Sequence, residues 1–253
     1  IPLQVGFFGK GYNKATQKDE LIFISTEREK KIGASIAKQV EKQFEETDDP
    51  LLQKHIEDIG KRIAEACERK DVIYRFKVLK AKRENDYNAF ALPGGYVYIF
   101  DALLEKLKND DEIAAILAHE TGHIAAKHSI KRLQSSLGVN ALMLLGVGMG
   151  TDSRTFAKAG NALSQLMMSY SREAEVEADK LSVRYVKRAG FNPEGVINVL
   201  ETLQVLRKKG PIRRYTYYRT HPYLSERLAR AKIEVRGEMD FDSFINLPEE
   251  ESF

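Results

Sequence analysis

The chain has 253 residues, which at about 150 residues per domain makes one or two domains. Charged residues are 30% and hydrophobic residues 43%, an ordinary globular balance that excludes a disordered, collagen-like or coiled-coil chain. The 40 Lys and Arg against 37 Asp and Glu leave +3, too slight a charge to argue for nucleic acid or an anionic membrane, and one cysteine, Cys67, excludes a disulfide framework or a Cys-rich zinc site.

Residues 1–20 are polar and Gly-rich and are expected to form an arm or loop. The chain opens on Ile1 and not on Met, so a targeting segment is expected to have been removed. Leu21 to Ile24 reads as a short strand. Thr26 with Glu29 is a capping box opening a helix towards Thr47. Asp48-Asp49-Pro50 breaks that helix and starts a second, ending near Arg69. Val72 to Leu79 alternates apolar and polar residues, the mark of a half-buried strand. Phe90-Ala91-Leu92 and Tyr96 to Phe100 are strand-like runs around the turn signal Pro93-Gly94-Gly95.

From Asp101 onward the pattern is helical. Leu137 to Gly150 is the longest apolar run, shorter than the roughly 20 residues of a bilayer span. A buried cover over a cleft is the expectation, with a peripheral membrane contact as the alternative. Asn192-Pro193-Glu194 starts a helix that stops at Gly210-Pro211, and Pro222 starts another reaching about Val235. The basic cluster Arg207-Lys208-Lys209 with Arg213 and Arg214 reads as a solvated helix end. Residues 237–253 are acidic and are expected to form a loose tail. Strands early and helices late predict one α+β domain, mostly helical with a small mixed sheet, over residues 21–236.

Chemistry concentrates in His119-Glu120-Thr121-Gly122-His123, an HExxH sequence. Residues four apart on a helix lie about 40° apart around its axis, so both imidazoles point to one side and can grip one zinc ion. Glu120 falls where it can act on water as a general base. Asn109 with Glu112 makes a capping box, and Asp110 and Asp111 suit the positive end of the helix dipole. The helix is apolar on every side apart from the motif, which predicts burial. Two buried imidazoles and a carboxylate then require a polar partner.

Catalytic zinc commonly has three protein ligands and one open position. His128 is about 140° round from His123 on a continuous helix, so it is expected to face away. The stretch Ser171 to Arg188 supplies other candidates. Glu173, Glu177, Lys180, Arg184 and Lys187 share a side that reads as a solvated charged stripe. Glu175 and Asp179 are one turn apart on an apolar face, where carboxylates need a metal, a cation or several donors. Glu175 is expected as third ligand and Asp179 as acceptor from a ligating His, although helical angle alone allows the roles to be exchanged. Arg172 lies on the same side as a cationic partner.

His119-Glu120-x-x-His123, followed by Ser171-Arg172-x-x-Glu175-x-x-Ala178-Asp179, resembles the gluzincin metallopeptidases that include the CAAX prenyl protease, the heat-shock membrane protease, the mitochondrial inner-membrane stress protease and bacterial periplasmic quality-control proteases. Asn88 to Gly95 resembles that family's strand-and-turn signature, and Thr220-His221-Pro222 with Arg227 its C-terminal one. The resemblance covers about residues 20 to 236. It implies a zincin-like fold, one zinc per chain, endopeptidase activity on polypeptides with no nucleic-acid partner, and a site in the bacterial envelope. It also implies Glu175, over Asp179, as the ligand.

The mechanism expected is hydrolysis by a zinc-activated water with Glu120 as base. Tyr217, Tyr218, Arg219 or His221 could supply a further oxyanion donor. His221 has two readings, a turn residue before Pro222 or a fourth ligand that keeps the enzyme latent until a hinge at Gly210 to Thr220 moves. The strand Tyr96-Val97-Tyr98 is expected at the sheet edge, where an extended substrate could pair. The competing functional classes are a non-catalytic or chaperone-like envelope module with a structural zinc and a helical domain without metal.

Overall fold

The computed structural model describes residues 9–138, 153–209 and 216–237. The apolar run from 139 onward, residues 210–215 of the expected hinge and the tail beyond 237 lie outside them.

Between residues 9 and 22 the chain is more ordered than the expected arm or loop. Strands β1 (Gly9–Asn13) and β2 (Lys18–Ile22) form an antiparallel hairpin in which Asn13 pairs with Lys18. Its tight turn is held by Asn13 Oδ1, which accepts from the Ala15 amide at 2.9 Å. Helix α1 (Thr26–Gln43) is capped by Ser25, not Thr26. The Thr26 hydroxyl instead donates to Asp71, and Glu29 is buried against Arg69. Helix α2 (Pro50–Ala66) begins as read, with Asp49 accepting from the amides of Leu51 and Leu52.

Strands β3 (Arg75–Leu79), β4 (Ala89–Leu92) and β5 (Tyr96–Phe100) form a mixed sheet of order β3-β5-β4. β5 pairs in parallel with β3 and antiparallel with β4. The expectation of an edge position for Tyr96, Val97 and Tyr98 is therefore overturned, because β5 is the central strand and β4 the edge. Period-two patterning identifies strands but carries no information about which strand lies beside which.

The sheet separates two apolar cores, and alternate residues of each strand serve opposite sides. Ala89, Ala91, Val97 and Ile99 face the core shared with α2 and the later helices. Phe90, Leu92, Tyr98 and Phe100 face the core made with α1. Burial on both faces explains why β4 shows no exposed residue.

After the short α3 (Asp101–Leu104), helix α4 (Asp110–Ala125) runs beneath the sheet, buried all round from Ala114 as its composition requires. Asn109 caps it by accepting from the Glu112 amide at 3.0 Å. It ends at Ala125, and Lys127 takes a left-handed conformation (φ 58°) before α5 (His128–Leu137). Helices α6 (Ser153–Leu166), α7 (Arg172–Arg188), α8 (Glu194–Lys209), α9 (Tyr217–Thr220) and α10 (Leu224–Arg236) follow. Helix α4 packs directly on α7. Gly122 permits it, since a Cβ there would lie 3.1 Å from the Ala178 carbonyl oxygen and 3.3 Å from the Leu181 side chain. The result is the zincin-like, mostly helical α+β arrangement, with the HExxH helix between the sheet and α7.

Candidate metal centre

One turn of α4 separates His119 from His123, and their Nε2 atoms stand 3.0 Å apart. Glu175 enters from the first turn of α7, where Ser171 caps the helix. Its oxygens lie 3.5 Å from His119 Nε2 and 3.5 Å from His123 Nε2. His221, just after α9, brings Nδ1 to 3.0 Å from Glu175 and 3.3 Å from His119 Nε2. One donor atom from each of His119, His123, Glu175 and His221 lies within 4.8 Å of the others, and all four residues are buried.

The surroundings set the charge and orientation of these groups. His119 Nδ1 lies 2.9 Å from Asp179 Oδ1, which directs its Nε2 into the cluster. Arg227 of α10 grips Asp179 through Nε and Nη2, both at 2.8 Å, and places Nη1 2.7 Å from Glu175. Burial pushes the Glu175 carboxyl up, but Arg227 and the surrounding imidazoles outweigh it and hold it well below the usual carboxylate range. Asp179 is lowered too, with Arg227 again overcoming burial. Burial and Arg227 push the His119 imidazole down, while Asp179 and Glu175 lift it to about 9. Burial holds His123 well below its ordinary value.

The sequence-based expectation gave the cationic role to Arg172. In the fold Arg172 is 43% exposed, 3.4 Å from Glu226 and over the Tyr223 ring. Helical angle placed Arg172 on the correct side of α7, but α10 closes over that side and brings the 2% exposed Arg227 instead.

Three more features escaped the sequence reading. The ring of Tyr170 stacks on His123 with centroids 4.0 Å apart, and that of Tyr217 on His221 at 4.3 Å. His128 does not face away, for its Nδ1 is 3.0 Å from His123 Nδ1. Glu177 is not on a solvated stripe but 3.2 Å from His128 Nε2, with its side chain 22% exposed. A further histidine five residues after the HExxH motif, His128, was the available signal. Of the suggested oxyanion donors, Tyr217 and His221 border the cluster, Tyr218 belongs to the apolar core and Arg219 is exposed.

The donor set fits a divalent ion. Two imidazoles and a carboxylate match the ligand chemistry of catalytic zinc. Glu120 is fully buried, and neither of its oxygens has a hydrogen-bond partner among the described residues. His221 Nε2 stands 3.4 Å from Oε1. A buried carboxylate without donors is costly to fold around unless it serves a reacting group.

Curated proteins carry related sequences. The chain is 26% identical over 220 residues to the beta-barrel assembly-enhancing protease of Escherichia coli, covering 83% of this chain and 44% of that protein. It is 32% identical over 155 residues to the E. coli metalloprotease LoiP, covering 60% and 59%. It is 35% identical over 145 residues to the mitochondrial metalloendopeptidase OMA1 of Saccharomyces cerevisiae, covering 56% and 41%. The chain thus spans about half the length of these relatives. The model of Peptidase family M48 matches residues 50–235, a stretch holding every residue of the buried cluster, and the chain belongs to that family.

Proposed function

We propose that this chain is a zinc-dependent metalloendopeptidase that cleaves misfolded or misassembled polypeptides in a bacterial envelope. The observation that carries the reading is the convergence of His119, His123 and Glu175 beside a buried Glu120 whose oxygens have no hydrogen bond among the described residues. Membership of a peptidase family and protease-named relatives support it, and the name of the E. coli assembly-enhancing relative supports the envelope site. No described helix is long and apolar enough to cross a membrane.

His119, His123 and Glu175 would hold the zinc, which supplies Lewis acidity towards a scissile carbonyl and towards water. Glu120 takes a proton from the attacking water and delivers it to the leaving amine. Asp179 keeps the His119 Nδ1 proton in place, and Arg227 keeps both acids ionised. Tyr217 borders the same space and is the stronger candidate for a second oxyanion donor.

Substrate pairing moves from β5 to β4. Asn88 O accepts from Phe100 N, so alternation turns the backbone groups of Ala89 and Ala91 away from β5. An extended peptide would pair there. Tyr217 N donates to Tyr87 O at 2.7 Å, and Ser129 Oγ donates to Ala91 O at 3.3 Å, so this edge is covered in the described conformation. His221 in the donor cluster and this cover together favour a latent reading, in which α9 and His221 withdraw before cleavage.

The test is casein cleavage by the purified chain after chelation and after return of stoichiometric zinc. The reading expects loss on chelation and recovery with zinc. Cleavage that persists in zinc-stripped protein would refute it.

A further inference from the structure

A continuous helix would carry His128 away from the centre, about 140° from His123. The chain avoids this by ending α4 at Ala125 and turning through Lys127 in a left-handed conformation. A non-glycine residue takes that conformation only against the steric preference of its Cβ. The turn brings His128 back, 8% exposed, with its ring 5.1 Å from that of His123.

Three contacts then run outward in line. His123 Nδ1 is 3.0 Å from His128 Nδ1, His128 Nε2 is 3.2 Å from Glu177 Oε2, and Lys18 Nζ donates to Glu177 Oε1 at 2.7 Å. Counting protons leaves one consistent arrangement for neutral rings. The Glu177 carboxylate only accepts, so His128 carries its proton on Nε2 and offers a lone pair at Nδ1. His123 must then donate from Nδ1, which leaves its Nε2 lone pair facing His119 and Glu175.

We propose that His128 and Glu177 are positioning residues that fix the tautomer and ring direction of His123, with Lys18 of the N-terminal hairpin anchoring the outer end. This rests on the metal reading above. The relay repeats for His123 what Asp179 does for His119, so α7 supplies a ligand at Glu175 and the orienting acid for each imidazole at Glu177 and Asp179. The hairpin is bound to the same place by two further bonds. Asn13 Nδ2 donates to the carbonyl of Ala125, the last residue of α4, and Lys131 Nζ donates to Glu20 at 2.6 Å. Tyr170, stacked on His123, fixes the ring plane, while the relay fixes which nitrogen is free.

The experiment is zinc affinity of the full chain by competition with a chromophoric chelator, with the visible spectrum of the cobalt-substituted protein as second readout. His128→Leu should weaken zinc by about 10–100-fold and alter the cobalt spectrum. His128→Asn should recover most of the affinity, because its carbonyl oxygen takes the place of Nδ1 as acceptor. Glu177→Leu should weaken zinc in the same direction by a smaller factor, and its position near the surface keeps the test valid if His128→Leu does not fold. Affinity and spectrum unchanged in Glu177→Leu, and in His128→Leu where it folds, would overturn the relay while leaving the metal reading intact. A wild-type chain that binds no zinc would overturn both.

Discussion

Arg227 organises the centre through geometry that only a guanidinium offers. It meets Asp179 with two parallel bonds and still reaches Glu175 with its third nitrogen. That cation lets two carboxylates remain ionised while buried, and the carboxylates in turn raise His119 to about 9. The consequence is a proton balance on zinc uptake. His119 in zinc-stripped protein carries a proton at pH 7 that a ligand must lose, whereas burial already keeps His123 neutral. Zinc binding should therefore release about one proton, and apparent affinity should rise as pH increases from 7 and level off above about 9. Calorimetry in buffers of different ionisation enthalpy measures the proton, and a flat affinity across that range would contradict the account. The two histidines and Glu120 were legible in the sequence because helical spacing alone fixes their mutual direction. Arg227 was visible only as a signature residue, since its role depends on α10 packing over α7, which no local pattern encodes.

Elements aim these residues, and their junctions matter as much as their lengths. The starts of α2 and α4 were readable from Asp49-Pro50 and from Asn109, where a side-chain cap and the sequence agree, whereas the end of α4 before His128 was not. The hairpin of β1 and β2 was not, because its polar, Gly-rich residues gain their order from long-range bonds to the end of α4 and to Glu177. The β4 edge was missed for a related reason, since strand order is a property of the whole sheet. Gly122 sits at the junction of α4 and α7, inside the HExxH motif itself. Gly122→Val should force α7 outward, lowering stability by about 1–3 kcal/mol through overpacking and weakening zinc by moving Glu175. Urea unfolding with parallel chelator competition measures both. Unchanged zinc affinity in that variant would show that Glu175 does not depend on the contact.

At the scale of the molecule, α4 is buried in one of the two cores that flank the sheet, and Tyr217 and Tyr218 of α9 pack into that same core. α9 closes over the centre, with Tyr217 on the β4 edge and His221, just after it, among the donors. A fourth protein donor at His221 would fill the position that substrate and water need, which is the physical argument for the latent reading. His221→Ala should raise casein cleavage by the zinc-loaded chain, read as initial rate at equal zinc content. A rate unchanged or lowered would remove the latent reading. This cover was half legible, because His221 before Pro222 fits a helix start as well as a ligand, and only tertiary structure brings it beside Glu175. The central claim, that Glu120 acts on water beside an ion held by His119, His123 and Glu175, is tested most directly by zinc content and casein cleavage measured together in wild type and Glu120→Gln. The account predicts that the variant keeps one zinc per chain and loses cleavage by about 100-fold or more. A variant that keeps its zinc and cleaves at the wild-type rate would contradict it.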